Sequence, residues 1–147
     1  MKFIIFIIFS CIFVFLDRLS KIFVIKNIKY GESIKILGDF LKFERVDNRG
    51  GIFGIFPDGK IFFIVFSILA LFLIFIFLFK YKFNSCFLIF LISLIFSGIV
   101  GNLIDRILYG FVVDFISVKN FPVFNLSDTY ITVGVVLIVV YLWKKEL

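Results

Sequence analysis

Two stretches of the chain, residues 61–79 and 83–104, run without a charged side chain. A helix climbs about 1.5 Å per residue, so roughly 20 apolar residues cross the hydrocarbon core of a bilayer. Both stretches meet that length, and both are expected to be transmembrane helices. Of the 147 residues 63% are hydrophobic, and the mean hydropathy is +1.19. A water-soluble domain of this size has no interior large enough to hide so much apolar surface, so the chain reads as one compact membrane domain. The 25 phenylalanines, with the abundant isoleucine and lysine, reflect a coding bias towards A+T-rich codons and not an aromatic recognition surface.

Two further apolar runs are too short by themselves. Residues 3–16 stop at Asp17, and residues 129–143 begin after Asp128. The first spans only by continuing through Asp17, Arg18 and Lys21, and the last only by taking in Asp128 and Asn125. Ionisable residues forced into membrane helices are costly and usually functional. Asp17 and Lys21 stand four residues apart, so one helical face presents both and they can pair. The expected architecture is all-α within the membrane, with four helices over about 3–25, 61–79, 83–104 and 123–143.

The connections differ in character. A polar insert covers about residues 27–60. Within it residues 33–37 and 40–46 alternate in part, which suggests short strands, with a turn at Gly38-Asp39 and a glycine-rich bend over 48–54. A small β-subdomain on the membrane face follows. Residues 105–122 form a second loop with a strand-like run at 111–118, while Tyr81 sits in a tight basic turn between Lys80 and Lys82. Lys2 ahead of an apolar run resembles the start of a signal peptide. No small-residue cleavage site follows it, so the run reads as a retained first span.

Four spans place both termini on one side. Charge bias, which ordinarily orients such a chain, answers poorly here. Lys2, Lys80, Lys82, Lys144 and Lys145 lie on the terminal side, but the opposite loops hold more basic residues. With a net charge of +6 beside the spans, anionic lipid head groups are the expected partners and nucleic acid is not. Histidine does not occur, and Cys11 and Cys86 both lie in apolar runs. Neither a metal site nor a disulfide framework is expected, and the cysteines read as small packing residues.

The chemistry is expected from two aspartates. Asp114 lies in the apolar run Phe111-Val112-Val113-Asp114-Phe115-Ile116, and Asp128 opens the last span in Phe124-Asn125-Leu126-Ser127-Asp128. Four spans put both on the same side of the membrane. Two carboxylates close together in an apolar setting cannot both ionise, so one keeps a proton while the other acts as base. Such a pair can activate water against a peptide carbonyl. Without histidine, Ser/His and Cys/His mechanisms are unavailable. Taken singly, Asp114 reads equally well as a loop residue and Asp128 as a helix cap.

The flanking words decide between these readings. In order, the chain carries Asp17-Arg18-Leu19-Ser20-Lys21, Asn48-Arg49-Gly50-Gly51-Ile52-Phe53-Gly54, Gly101-Asn102-Leu103-Ile104-Asp105-Arg106, Gly110-Phe111-Val112-Val113-Asp114-Phe115 and Phe124-Asn125-Leu126-Ser127-Asp128. In content, order and four-span layout this resembles the lipoprotein signal peptidase (signal peptidase II) family over nearly the whole chain. Ile52 and Ser127 depart from it, standing where the family usually has a small residue and alanine, and both departures leave the polar residues intact.

The resemblance implies an intramembrane aspartyl endopeptidase with Asp114 and Asp128 as its dyad. Supporting roles fall to Asp17, Lys21, Asn48, Asn102, Asp105, Arg106 and Asn125. The implied substrate is a prolipoprotein whose lipobox cysteine bears diacylglycerol, cut on the amino side of that cysteine. No cofactor is implied, and the chain is expected to act as a monomer in the cell inner (cytoplasmic) membrane. Its termini would be cytoplasmic, with the β-rich insert and the site near the extracytoplasmic face. The residue chemistry agrees: Arg106 has a planar fork suited to carbonyl or phosphate oxygens, Asn48 and Asn125 can bind peptide backbone, and Gly50 and Gly51 allow close approach to a ligand. Asp105-Arg106 also reads as an ion pair at a helix end, and Gly98 and Gly101 as helix-packing glycines.

Two other classes remain. A small proton- or ion-coupled transporter also carries buried Asp and Lys, although along a path and not at one face, and often with an internal repeat, which is not detectable here. A non-catalytic membrane subunit would tolerate Asp114→Asn.

Overall fold

The computed structural model describes residues 2–51, 59–80 and 85–146. Along the chain these form α1 (Lys2–Asn27), β1 (Ser33–Leu37), β2 (Leu41–Asn48), α2 (Lys60–Lys80), α3 (Cys86–Leu108), β3 (Val112–Val118) and α4 (Leu126–Glu146). All four helices are long and apolar enough to cross a membrane. The three strands make one antiparallel sheet in the order β1-β2-β3, so the second loop supplies the third strand of the insert's sheet. The expected basic turn at Tyr81 and the Ile52–Gly54 part of the glycine-rich bend lie outside the described residues.

The pivot of the bundle is α3, which packs against α1, α2 and α4. Its buried face carries small residues, namely Ser93, Ser97, Gly98 and Gly101. Small residues let membrane helices approach backbone to backbone. The two serines remain satisfied because each donates one turn back, Ser93 Oγ to Ile89 O at 2.8 Å and Ser97 Oγ to Ser93 O. Gly98 and Gly101 are the packing glycines expected: a Cβ at either would collide with Ser127 on α4. Gly134 does the same in the other direction, where a Cβ would lie 2.7 Å from Ile95. In contrast α2 fully buries only Leu78, the rest of its residues being half-buried or exposed.

The helix ends differ from the sequence expectation in a way that matters for the site. The third span does not stop at residue 104 but continues through Asp105 and Arg106 to Leu108. It ends where Gly110, at φ 83°, takes the left-handed conformation that glycine adopts freely, with its N–H donating back to Arg106 O at 3.2 Å. The last helix begins at Leu126, not at 123, because Asn125 caps it: its Oδ1 accepts the Asp128 N–H at 3.0 Å, while Asp128 Oδ2 accepts the Asn125 N–H at 3.3 Å. This reciprocal pair satisfies two backbone donors that a helix start leaves open.

Strand alternation then aims Asp114. Val113 and Phe115 point to one face of β3 and pack with Val24 and Ile28 at the end of α1. Asp114, between them, must point to the other face. Cys11 and Cys86 do not pack inside as expected; both are exposed on helix surfaces and unbridged.

Candidate active site

The site is assembled where the sheet meets the ends of α1, α3 and α4. Asp114 is almost fully buried and accepts two side-chain amides: Asn48 Nδ2 on Oδ2 at 2.9 Å, from the last residue of β2, and Asn125 Nδ2 on Oδ1 at 2.6 Å. Asp128, in the first turn of α4, accepts Asn102 Nδ2 on Oδ1 at 2.8 Å as well as the capping N–H of Asn125. Asn125 therefore touches both carboxylates and ties them to Asn102, whose Oδ1 it also reaches at 3.2 Å.

Behind this pair lies a buried cation. Lys21 is fully buried, and its Nζ meets three acceptors: Asp105 Oδ2 at 2.8 Å, Asp17 Oδ2 at 3.0 Å and Asn102 Oδ1 at 3.1 Å. The expected Asp17–Lys21 pairing is thus present, one face of α1 presenting both. Each of the two carboxylates has a second task. Asp17 Oδ1 accepts the N–H of Ser127 at 3.0 Å, and Asp105 Oδ2 accepts the N–H of Val113 at 3.2 Å. Ser127 and Val113 are the residues immediately before Asp128 and Asp114.

Asp105 and Arg106 do not pair with each other, contrary to one of the sequence readings. Successive helical residues diverge by about 100° around the axis, so Asp105 faces inward to α1 while Arg106 turns toward the mouth of the site. There its guanidinium lies 4.7 Å from the ring centre of Phe63 on α2 and donates to Gly50 O at 3.4 Å and Asn102 O at 3.5 Å. The Gly50 N–H in turn donates to Asn48 Oδ1 at 2.9 Å, which fixes the amide that serves Asp114.

Burial, and after it the charge of Asp128, push the Asp114 carboxyl up to about 7, against the opposing pull of Asn48 and Asn125. A carboxyl of this kind holds a proton near neutrality when its neighbour is charged.

All ten residues singled out in the sequence join one network: Asp17, Lys21, Asn48, Gly50, Asn102, Asp105, Arg106, Asp114, Asn125 and Asp128. Two members were missed. Arg18 makes an ion pair with Asp105 Oδ1, and Ser127 gives its backbone N–H to Asp17. Nothing in local spacing announces Arg18, whose partner is 87 residues away.

The family model for signal peptidase II matches residues 9–144. A lipoprotein signal peptidase from Clostridium tetani is 40% identical over 138 residues, covering 90% of this chain and 88% of that protein. Its counterpart from Halothermothrix orenii is 38% identical, with 92% of each chain covered. A solved bacterial membrane enzyme superposes with a TM-score of 0.91 at 34% identity, covering 96% of this chain and 88% of that one. The transporter alternative finds no support among these relatives. With motifs, fold and relatives in agreement, the chain belongs to the signal peptidase II family.

Proposed function

We propose that this signal peptidase cuts its substrate as an aspartyl endopeptidase, with Asp114 and Asp128 as the catalytic pair. The observation that carries the reading is the shared hold of Asn125 on both carboxylates, through its side-chain amide on the buried Asp114 and its backbone N–H on the half-buried Asp128. Asp114, pushed up to about 7, keeps its proton, and Asp128 serves as base. Asp128 takes a proton from water as the oxygen attacks the scissile carbonyl carbon, and Asp114 hydrogen-bonds the carbonyl oxygen as it gains charge. The tetrahedral adduct then breaks its C–N bond, the nitrogen leaving with the proton Asp128 had taken. The products are a new carboxyl terminus on the signal peptide and a free amine on the mature chain.

The substrate is a prolipoprotein whose signal helix lies in the bilayer, cut on the amino side of its diacylglyceryl cysteine. Arg106 and Gly50 at the mouth suit peptide carbonyls and amides. The protein is a multi-pass membrane protein. In the orientation we favour, the termini lie in the cytoplasm and the sheet at the extracytoplasmic face of the cytoplasmic membrane, where exported precursors arrive. It acts as a monomer, its outward apolar helix faces covered by lipid.

The test is incubation of the purified protein in detergent or bilayers with lipidated and non-lipidated precursor, the cut being located by mass spectrometry. A single cut before the lipidated cysteine, lost in Asp114→Asn and in Asp128→Asn, is the expected result. Full activity in either variant removes the aspartyl reading.

A further inference from the structure

Arg18 sits one residue past Asp17 on α1 and turns toward α3, where it forms an ion pair with Asp105 Oδ1 and lies 5.8 Å from the ring centre of Tyr109. Its side chain keeps 15% of its exposure, whereas that of Asp105 has none. The other oxygen of Asp105 is shared between Lys21 Nζ and the Val113 N–H. One buried carboxylate thus joins two cations of α1 to the β3 backbone, directly ahead of Asp114.

We propose that Arg18 is a positioning residue for the aspartate pair, acting through Asp105 on the β3 backbone. The proposal rests on reading Asp114 as catalytic. The first argument is geometric. Asp105 Oδ2 has to accept from Val113 N–H and Lys21 at once, and a bond from Arg18 to the other oxygen fixes the carboxylate plane in which both are met. Arg18 holds that oxygen through Nη1 while Nη2 reaches the Tyr109 hydroxyl at 3.5 Å, two contacts from one planar group that Lys cannot reproduce.

The second argument is charge. Facing Asp105 are Arg18 and Lys21 from α1 and the Val113 N–H from β3, with Asp17 on the far side of Lys21. Arg106 on α3 feels Asp105 together with Asp128 of α4 and Asp114 of β3. Asp17, Asp105, Lys21 and Arg18 are neutral as a group. Without Arg18 they carry one negative charge beside two further carboxyls, and a buried charge left without its partner is costly.

The experiment compares Arg18→Met and Arg18→Lys with the parent, purified in detergent and assayed on a lipidated precursor across a pH series. Arg18→Met is expected to lower kcat about tenfold with KM within about twofold, the signature of lost transition-state geometry. It should also shift the pH–rate profile to higher pH, since removing a cation disfavours carboxylate ionisation. Arg18→Lys should fall between the two in kcat and keep the parent's pH profile.

A residue with only a structural role would lower the yield of folded protein and leave both kcat per folded molecule and the profile unchanged. That outcome overturns the proposal. If Arg18→Met yields no folded protein, Arg18→Lys decides: reduced kcat at constant KM supports the role, and an unchanged kcat overturns it. Asp114→Asn in the same assay separates the two levels of inference. An active Asp114→Asn removes the dyad and this role with it, whereas an inactive one beside a fully active Arg18→Met overturns the role of Arg18 alone.

Discussion

Asn125 holds Asp114 by a 2.6 Å hydrogen bond from its side-chain nitrogen. The same side chain caps α4 through its oxygen, 3.0 Å from the Asp128 N–H. Removing it therefore acts on stability and on the site together. Asn125→Ala is expected to lose about 1–2 kcal/mol of stability, as for loss of a helix cap. Activity should drop at least about tenfold more than that destabilisation explains, because Asp114 loses its 2.6 Å amide partner while the cap that places Asp128 is lost with it. Thermal unfolding in detergent, read beside kcat at a temperature where the variant is folded, separates the two effects.

The raised proton affinity of Asp114 has a stability consequence with a definite sign. In the unfolded chain its carboxyl ionises near 3.8, and in the fold only near 7. Over that interval the native state keeps a proton that the unfolded state releases. The contribution of Asp114 is thus fully present below about pH 4 and is lost as pH rises through about 7. Asp114→Asn, neutral at every pH, should match the parent near pH 4 and become the more stable of the two by pH 8, by up to about 4 kcal/mol. Unfolding curves at the two pH values check this. A parent that is equally stable or more stable than Asp114→Asn at pH 8 contradicts the assignment.

Lys21 supplies a different expectation. Its three acceptors include two fully buried carboxylates, Asp17 and Asp105. Lys21→Met keeps the volume, strands Asp17 and leaves Asp105 with Arg18 alone, so it should cost about 3–5 kcal/mol and reduce the yield of folded protein. Neutralising the stranded carboxylate, in the double variant Lys21→Met with Asp17→Asn, should recover part of the yield. A Lys21→Met protein as stable as the parent yet wholly inactive would instead give Lys21 a direct part in the chemistry.

Much of this was legible in the amino-acid sequence because the bilayer is a severe constraint. Residues 3–16 and 129–143 were too short to span, and the charges needed to complete them, Asp17, Lys21 and Asp128, all join the one hydrogen-bonded network. The hairpin was legible too, since partial alternation and Gly38-Asp39 mark two strands and a turn. What the sequence did not disclose was partner choice across the bundle. Asp105 and Arg106 are neighbours in the chain but point to different elements, and Arg18 reaches a partner on another helix. The end of α3 was misjudged because its last turn is polar, although Gly110 stood ready as the stop. Asn125 and Asp128, three residues apart, carried the capping signal that sets the true start of α4.

Ser127 is the member of the motifs whose side chain the packing singles out. Its Oγ is buried with no hydrogen-bond partner among the described residues, and it occupies the space over Gly101. A Cβ at Gly101 would collide with that Oγ and lie 2.6 Å from Asp17 Oδ2. Asp17 Oδ2 cannot retreat easily, nor can the backbone that carries the Ser127 side chain. Ser127 is held by its N–H to Asp17, and Asp17 by Lys21. Gly101→Ala should therefore push α4 away from α3 and cost about 1–3 kcal/mol, the usual penalty of overpacking. Ser127→Ala alone removes an unpaired buried hydroxyl and should be neutral or slightly stabilising. In the double variant one of the two collisions is gone, so its loss should be smaller than that of Gly101→Ala by about 1 kcal/mol, a coupling that a thermal double-mutant cycle measures directly. Strict additivity of the two changes would mean that Ser127 is not what holds position 101 to glycine.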